Sequence, residues 1–215
     1  MKNAGVCATF NPMKKAMIPV LLTLLLAQAA PADEVKAMLG IHTSKYLFSS
    51  EITSLNRRQK TGMSFSLGYA FEISPQIMLE AQAALMAKGA KVSLEYAPGK
   101  AVPATYGNRA LVLPLFFKYR LKEGSTPYAA IGPEFNFILA HTLTPEHGES
   151  IDIADNTNKF IFAINIALGY ELPVGQWGLV AEARYNRWLS NLIKSPGTSV
   201  KGESISLLLG GIYYL

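Results

Sequence analysis

The sequence predicts an all-β chain folded as an eight-stranded, antiparallel, up-and-down transmembrane β-barrel. Three observations carry this expectation. Apolar residues recur at every second position in eight separate stretches, the period of a strand with two unlike faces. Charged residues make up only 16% of the chain, against about 25% in ordinary soluble domains. The connections between stretches alternate long and short, as hairpins that cross a membrane do.

Ahead of the first strand, Lys14 and Lys15 precede an apolar run from Ala16 to Leu26, and small residues follow from Ala27 to Ala32. This is the layout of a secretory signal peptide, too short for a comfortable helical span. Residues 1–32 are therefore expected to leave by cleavage after Ala29 or Ala32, with Met1 or Met13 as the start. That removes Lys2, Lys14 and Lys15 and no acid, so most of the +5 formal charge goes with it. The basic balance gives no argument for nucleic acid. Cys7, the single cysteine, lies ahead of the apolar run, so residues 33–215 hold no thiol.

The first strand carries Val35, Ala37, Leu39 and Ile41, and a polar stretch with Arg57, Arg58 and Lys60 follows. Met63 to Ile73 and Ile77 to Ala87 make a hairpin across Ser74-Pro75-Gln76. Gly89 to Asn108 is expected as a long loop. The fourth strand runs from Leu111 to Leu121, and Lys122 to Thr126 is a short turn. Ala129 to Leu139 is the fifth. His141 to Asn158 is expected as a long acidic loop. Phe160 to Leu172 is the sixth, and Pro173 to Gly178 turns into the seventh, Leu179 to Tyr185. Ser190 to Gly202 is the last long loop, and Ile205 to Leu215 closes the chain. Strands of about 9–13 residues match the length a tilted strand needs to cross a bilayer.

Charge placement decides which face meets lipid. The uniform apolar face carries one charge, Arg187, near a rim. The other face carries Lys36, Glu72, Glu80, Lys88, Lys118, Arg120, Glu134, Glu171, Glu182 and Arg184, five of each sign, together with several glycines. Arg or Lys facing lipid at mid-depth costs about 2–4 kcal/mol, while balanced charges in a narrow interior can pair. The apolar face is therefore expected outward and the charges inside, as a structural network. Phe71, Tyr119, Tyr170 and Tyr213 fall at one level near the short turns, the expected position of an interfacial girdle. A soluble lipocalin-like barrel, with the apolar face inward, is the contrasting reading.

Three stretches resemble the PorT-like family of small eight-stranded outer-membrane barrels: Leu111 to Tyr119 with Pro114, Tyr128 to Pro133, and Glu182 to Tyr185 with Leu189-Ser190-Asn191. The C-terminus resembles the signal read by the barrel-assembly machinery, through Gly210, Tyr213 and Leu215. It departs from that signal in lacking a terminal aromatic and in having Leu208 where a polar residue is usual. These resemblances imply a monomeric protein of the bacterial outer membrane, both termini periplasmic. Its expected partners are membrane lipid and lipopolysaccharide, the assembly machinery and other envelope proteins.

Little catalytic chemistry is legible. Arg184 to Asn191 is faintly similar to the active strand of outer-membrane lipid A deacylases, which implies Ser190 as the candidate nucleophile. Such a serine needs a histidine to activate it, and none stands on this strand. His42, His141 and His147 are too scattered for metal-ligand spacing. The expectation is a non-enzymatic barrel without cofactor or metal. It would serve as an envelope anchor, an adhesion surface or an assembly component through its long outer loops. A lipid A deacylase and a soluble ligand-binding barrel are the alternatives.

Overall fold

The computed structural model describes residues 33–48, 58–97, 100–121, 126–194 and 199–215; the expected signal peptide lies outside them. The strands are β1 (Glu34–Phe48), β2 (Arg58–Ser74), β3 (Ile77–Ala97), β4 (Lys100–Arg120), β5 (Thr126–Pro145), β6 (Ile151–Asp152), β7 (Phe160–Val174), β8 (Trp177–Trp188) and β9 (Val200–Tyr214). β6 is a two-residue strand that pairs only with β5. The other eight close into an antiparallel barrel in which each strand pairs with the next and β1 pairs with β9. Closure leaves no sheet edge, which is what allows strands to sit in lipid without unpaired backbone groups.

Side-chain parity follows the sequence pattern. Along β8, Trp177, Leu179, Ala181, Ala183, Tyr185 and Arg187 are exposed, while Gly178, Val180, Glu182, Arg184, Asn186 and Trp188 are buried. On β9, Leu207 and Leu209 are 58% and 69% exposed, whereas Ser206 and Leu208, which alternate with them, are buried. The charged face is inside and the apolar face outside, the inverse of a soluble barrel. An apolar surface of this extent is stable only against lipid or another apolar partner.

The turns at one end follow their local chemistry. Pro75 and Gln76 alone separate β2 from β3, with proline's fixed φ suited to the first turn position. Gly175 takes φ +65° in the β7–β8 turn, a conformation that favours glycine.

The opposite end differs from expectation in two places. Within the stretch expected as a loop, residues 89–97 and 100–108 are strand: β3 and β4 remain paired from Gly89↔Gly107 to Ala97↔Lys100. Gly89 suggested a break, but its role is close approach, since a Cβ there would lie 2.1 Å from the Tyr106 carbonyl oxygen. His141 to Pro145 likewise continues β5, paired with β4 up to Ala104↔Pro145. β3, β4 and β5 therefore run to 20 or 21 residues, against 12 in β8, and raise one side of the wall.

Replacing Leu207 by Arg should destabilise the barrel by about 2–4 kcal/mol, whereas Leu215→Arg at the chain end should cost about 0–1. The measurement is the urea midpoint of the folded band, which for a detergent-resistant barrel migrates differently before and after boiling.

Candidate functional site

The interior is built in layers. Nearest the turn end, six strands converge on one ion cluster. Lys36 Nζ donates to Glu80 Oε2 at 2.8 Å and lies 3.7 Å from Glu171. Lys118 Nζ contacts Glu171 closely and lies 3.5 Å from Glu34 and 3.8 Å from Glu80. Arg120 joins Glu34 to Glu171, at 2.9 Å from Glu171 Oε2. Tyr128 donates its hydroxyl proton to Glu182, and Lys118 and Lys36 lie 4.6 Å and 5.3 Å from its ring centroid. Arg184 pairs with Glu182, donates to Gln82 Oε1 at 2.7 Å and sits 5.0 Å from the Phe116 ring centroid.

Further along the axis, Lys88 Nζ contacts Glu134 Oε1 and Asn136 Oδ1, both at 3.0 Å, and Asn165 donates to Glu134. A void of about 20 Å3 lined by Ser64, Glu134 and Arg184 among others has room for about one water. Side chains fill the space an eight-stranded barrel encloses.

Eight of the nine charges expected as a network besides Lys36 are in these clusters: Glu80, Lys88, Lys118, Arg120, Glu134, Glu171, Glu182 and Arg184. Glu72 is the correction. It has lumen parity, but β2 has reached the turn by that point, and the side chain is exposed. Its place is taken by Glu34, 2% exposed at the very start of β1. The cluster charges remain five carboxylates against five cations. Tyr128 is a second missed member, although its alternation with Ala130 and Gly132 put it on the lumen face. The geometry also explains one glycine: Tyr128 lies directly across from Gly169, and a Cβ there would be 2.3 Å from the phenol ring.

The outward residues near the turns are Phe71, Tyr119, Tyr170 and Tyr213, with Tyr119 and Tyr170 41% and 49% exposed. Trp177 joins them, its ring centroid 4.8 Å from that of Tyr213. Of the C-terminal residues, Gly210 packs against β1, where a Cβ would lie 2.1 Å from the Ala37 carbonyl oxygen. Leu215 is exposed and donates its N–H to Asp33 O at 3.1 Å.

At the other rim, Arg187 is not alone on the outward face. Glu203 accepts from Lys45 at 2.7 Å and lies 3.9 Å from Arg187. Inside that rim, Tyr46, Tyr106, Trp188 and His141 form an aromatic cluster, and Asn108 donates to the Tyr46 hydroxyl at 3.0 Å. His42 is buried, its Nε2 3.1 Å from Ala87 O. His141 is a buried strand residue, not the loop residue expected. Ser190 Oγ is engaged by the Phe162 backbone, accepting from its N–H at 2.7 Å and lying 3.3 Å from its carbonyl oxygen. Among the described residues there is no cluster of three metal-ligating side chains.

The model of the outer membrane protein beta-barrel domain family matches residues 18–211. Among solved structures, the chain is similar to the outer membrane protein OprG from Pseudomonas aeruginosa. The identity is 12% and the TM-score 0.51, over 86% of this chain and 96% of that one. It is also similar to Neisserial surface protein A, at 13% identity and a TM-score of 0.50, over 84% and 97% of the two chains. At such identities these likenesses establish the fold alone. No curated protein matches the chain.

Lys118→Met leaves Glu171 and Glu34 short of a buried partner and should cost about 3–5 kcal/mol. Adding Glu171→Gln should recover part of that loss, a coupling that a double-mutant cycle on the urea midpoint measures.

Proposed function

Since the chain belongs to the outer membrane protein beta-barrel domain family, we propose that it is a non-enzymatic outer-membrane barrel with a closed lumen. It serves as an anchor that presents an adhesion or assembly surface outside the cell. One observation carries this reading: the interior is filled by paired charges, while β3, β4 and β5 extend past their neighbours at the loop end. A filled lumen favours display over conduction, and the raised wall is the part best placed to meet a partner.

In this reading the short turns face the periplasm. The start of β1 and the end of β9 meet there, since Glu34 pairs with Tyr214 and Leu215 bonds to Asp33. Residues 1–32 act as the cleaved export signal. The final strand, with Gly210, Tyr213 and Leu215, is presented to the barrel-assembly machinery. Phe71, Tyr119, Tyr170 and Tyr213 sit at the inner lipid interface, and Lys45 and Arg187 meet lipopolysaccharide at the outer one. The barrel works as a monomer without a cofactor, and its surface contacts other envelope proteins. The narrower PorT-like placement rests on the three stretches around Pro114, Gly132 and Tyr185. A hydrolytic role is disfavoured by Ser190, whose hydroxyl is occupied by the Phe162 backbone rather than by a histidine.

Shortening the projecting hairpin tests the reading. Residues 93–103 are replaced by Asn-Gly, so that Val92 and Ala104, which already pair, flank a tight turn. The variant should retain its heat-dependent gel mobility and show no ion conductance in planar bilayers. It should also lose the surface attachment or envelope cross-links of the parent. A conducting parent, or a variant with every attachment and cross-link intact, contradicts the proposal.

A further inference from the structure

Two cations of the polar stretch after β1, Arg58 and Lys60, stand on β2, and strand pairing brings Lys91 of β3 and Arg109 of β4 beside them. Arg58 is the direct cross-strand partner of Lys91, and both are exposed. Arg109, also exposed, pairs with Ala87. Lys91 and Arg109 point outward, because Ala90 and Asn108, which alternate with them, are buried in the lumen. The β2–β3 register shifts between Gln59 and Ser64, a bulge of the kind that re-aims a side chain. Lys60 stands in it, and its stem lies flat across the outer wall. A Cβ on Gly89 would be 2.8 Å from Lys60 Cδ, and one on Gly107 would be 2.9 Å from Lys60 Nζ. Gly89 and Gly107 are direct partners, so together they form a trough that holds the lysine across β3 and beside Arg109.

Among the described residues, none of these four cationic heads has an ion-pair or hydrogen-bond partner. Farther round the same rim, Lys45 and Arg187 share Glu203. Like charges set directly opposite on one sheet face repel, as Arg58 and Lys91 do, and the charge of Arg109 acts on the Lys60 ammonium. A bound anion turns each of these repulsions into an attraction. The position of the patch selects the anion. Phe65, Leu85, Leu111 and Phe137 are paired in a row across β2 to β5, and Phe65 and Leu85 are exposed on the lipid face. That row lies two residues below Arg109, about 7 Å along the strand. The cations therefore begin where the lipid-facing band ends, at headgroup level.

We propose that this patch binds the phosphate-bearing headgroup of an outer-leaflet glycolipid. Lys60 and Arg109 hold the phosphate nearest the acyl chains, and Arg58 and Lys91 face the anionic part of the head farther out. The guanidinium forks of Arg58 and Arg109 match the oxygens of a phosphate, and the acyl chains lie along the row of Phe65 and Leu85. A free phosphate or an acidic peptide uses the cations but not that apolar row. A zwitterionic headgroup brings an ammonium, which a patch without a carboxylate repels. The site deepens the display role and rests on it for one point, that the long strands face outside. Its residues are distinct from Lys45 and Arg187.

The test titrates the full barrel in detergent with diphosphoryl lipid A and with the same lipid dephosphorylated, and reads the bound fraction by native mass spectrometry. The wild type should bind the phosphorylated form about tenfold more tightly, the value of a charge-assisted hydrogen bond. Lys60→Gln combined with Arg109→Gln should abolish that preference and leave the dephosphorylated form bound as before. Lys159→Gln combined with Lys194→Gln removes the same charge elsewhere on the rim and should keep the preference. Gly107→Val changes no charge but displaces Lys60 Nζ, and it too should lower the preference. If the Lys60/Arg109 double variant lacks the heat-dependent mobility of a folded barrel, Gly107→Val alone decides. Equal wild-type affinity for the two lipids overturns the assignment, as does a preference unchanged in the deciding variant or lost equally in the Lys159/Lys194 control. Displacement of lipid A by inorganic phosphate or polyglutamate at the lipid's own concentration assigns the patch to a free ion or an acidic protein and overturns it as well. Orientation is read separately. Residues 33–215 hold no cysteine, so Gly148→Cys, at the loop end of β5, should react with a membrane-impermeant maleimide on intact cells. Labelling only after lysis overturns the display role and the outer-leaflet assignment together, whereas labelled cells with no phosphate preference overturn the patch alone.

Discussion

Among the described residues, ten charged side chains pair inside a barrel too narrow to hydrate them, and the rest of the structure depends on that pairing. Water cannot screen a charge that side chains have surrounded, so each needs an opposite partner at hydrogen-bond distance. The chain meets this demand with five carboxylates and five cations drawn from strands far apart in sequence. Glu34 and Arg120 are separated by 86 residues, and Gln82 and Arg184 by 102. Pairing across the bore ties opposite walls together. The ion network therefore acts as the core of a protein whose hydrophobic residues face outward.

A second requirement follows from filling a tapered tube. Large lumen side chains need a hollow opposite them. Tyr128 lies against Gly169, Trp188 against Gly202 and Tyr214 against Gly178. Each glycine lets a ring lie flat along the wall, which positions Tyr128 under Lys118 and Lys36 and brings its hydroxyl to Glu182. Near the loop end the same packing changes character. Trp188, Tyr46 and Leu192 replace the ion pairs with apolar contacts.

Alternation made most of the barrel legible. A period of two fixed which residues share a face, and the charge difference between faces fixed which looks to lipid. Turn chemistry at Pro75 and Gly175 marked the hairpin ends. Three things escaped. Glu34 and Glu72 both have lumen parity, and only the stagger of β1 against β2 decides which is covered. The long strands escaped because Gly89 reads as a loop residue until the close approach to Tyr106 is known. The grouping of Lys60 with Lys91 and Arg109 was illegible because it depends on a bulge in β2 and on the pairing of Gly89 with Gly107, which no periodicity encodes.

The apolar face meets lipid and the charged face does not, and the two native tryptophans allow a direct test. Trp177 is 62% exposed on the outward face, and Trp188 is 1% exposed inside. The variants Trp188→Phe and Trp177→Phe each leave one indole as the emitter. Both are reconstituted in bilayers of lipid brominated near the headgroup end of the acyl chain. Strong quenching is expected when Trp177 is the emitter and unchanged emission when Trp188 is. Equal quenching of the two, or quenching of Trp188 alone, contradicts it.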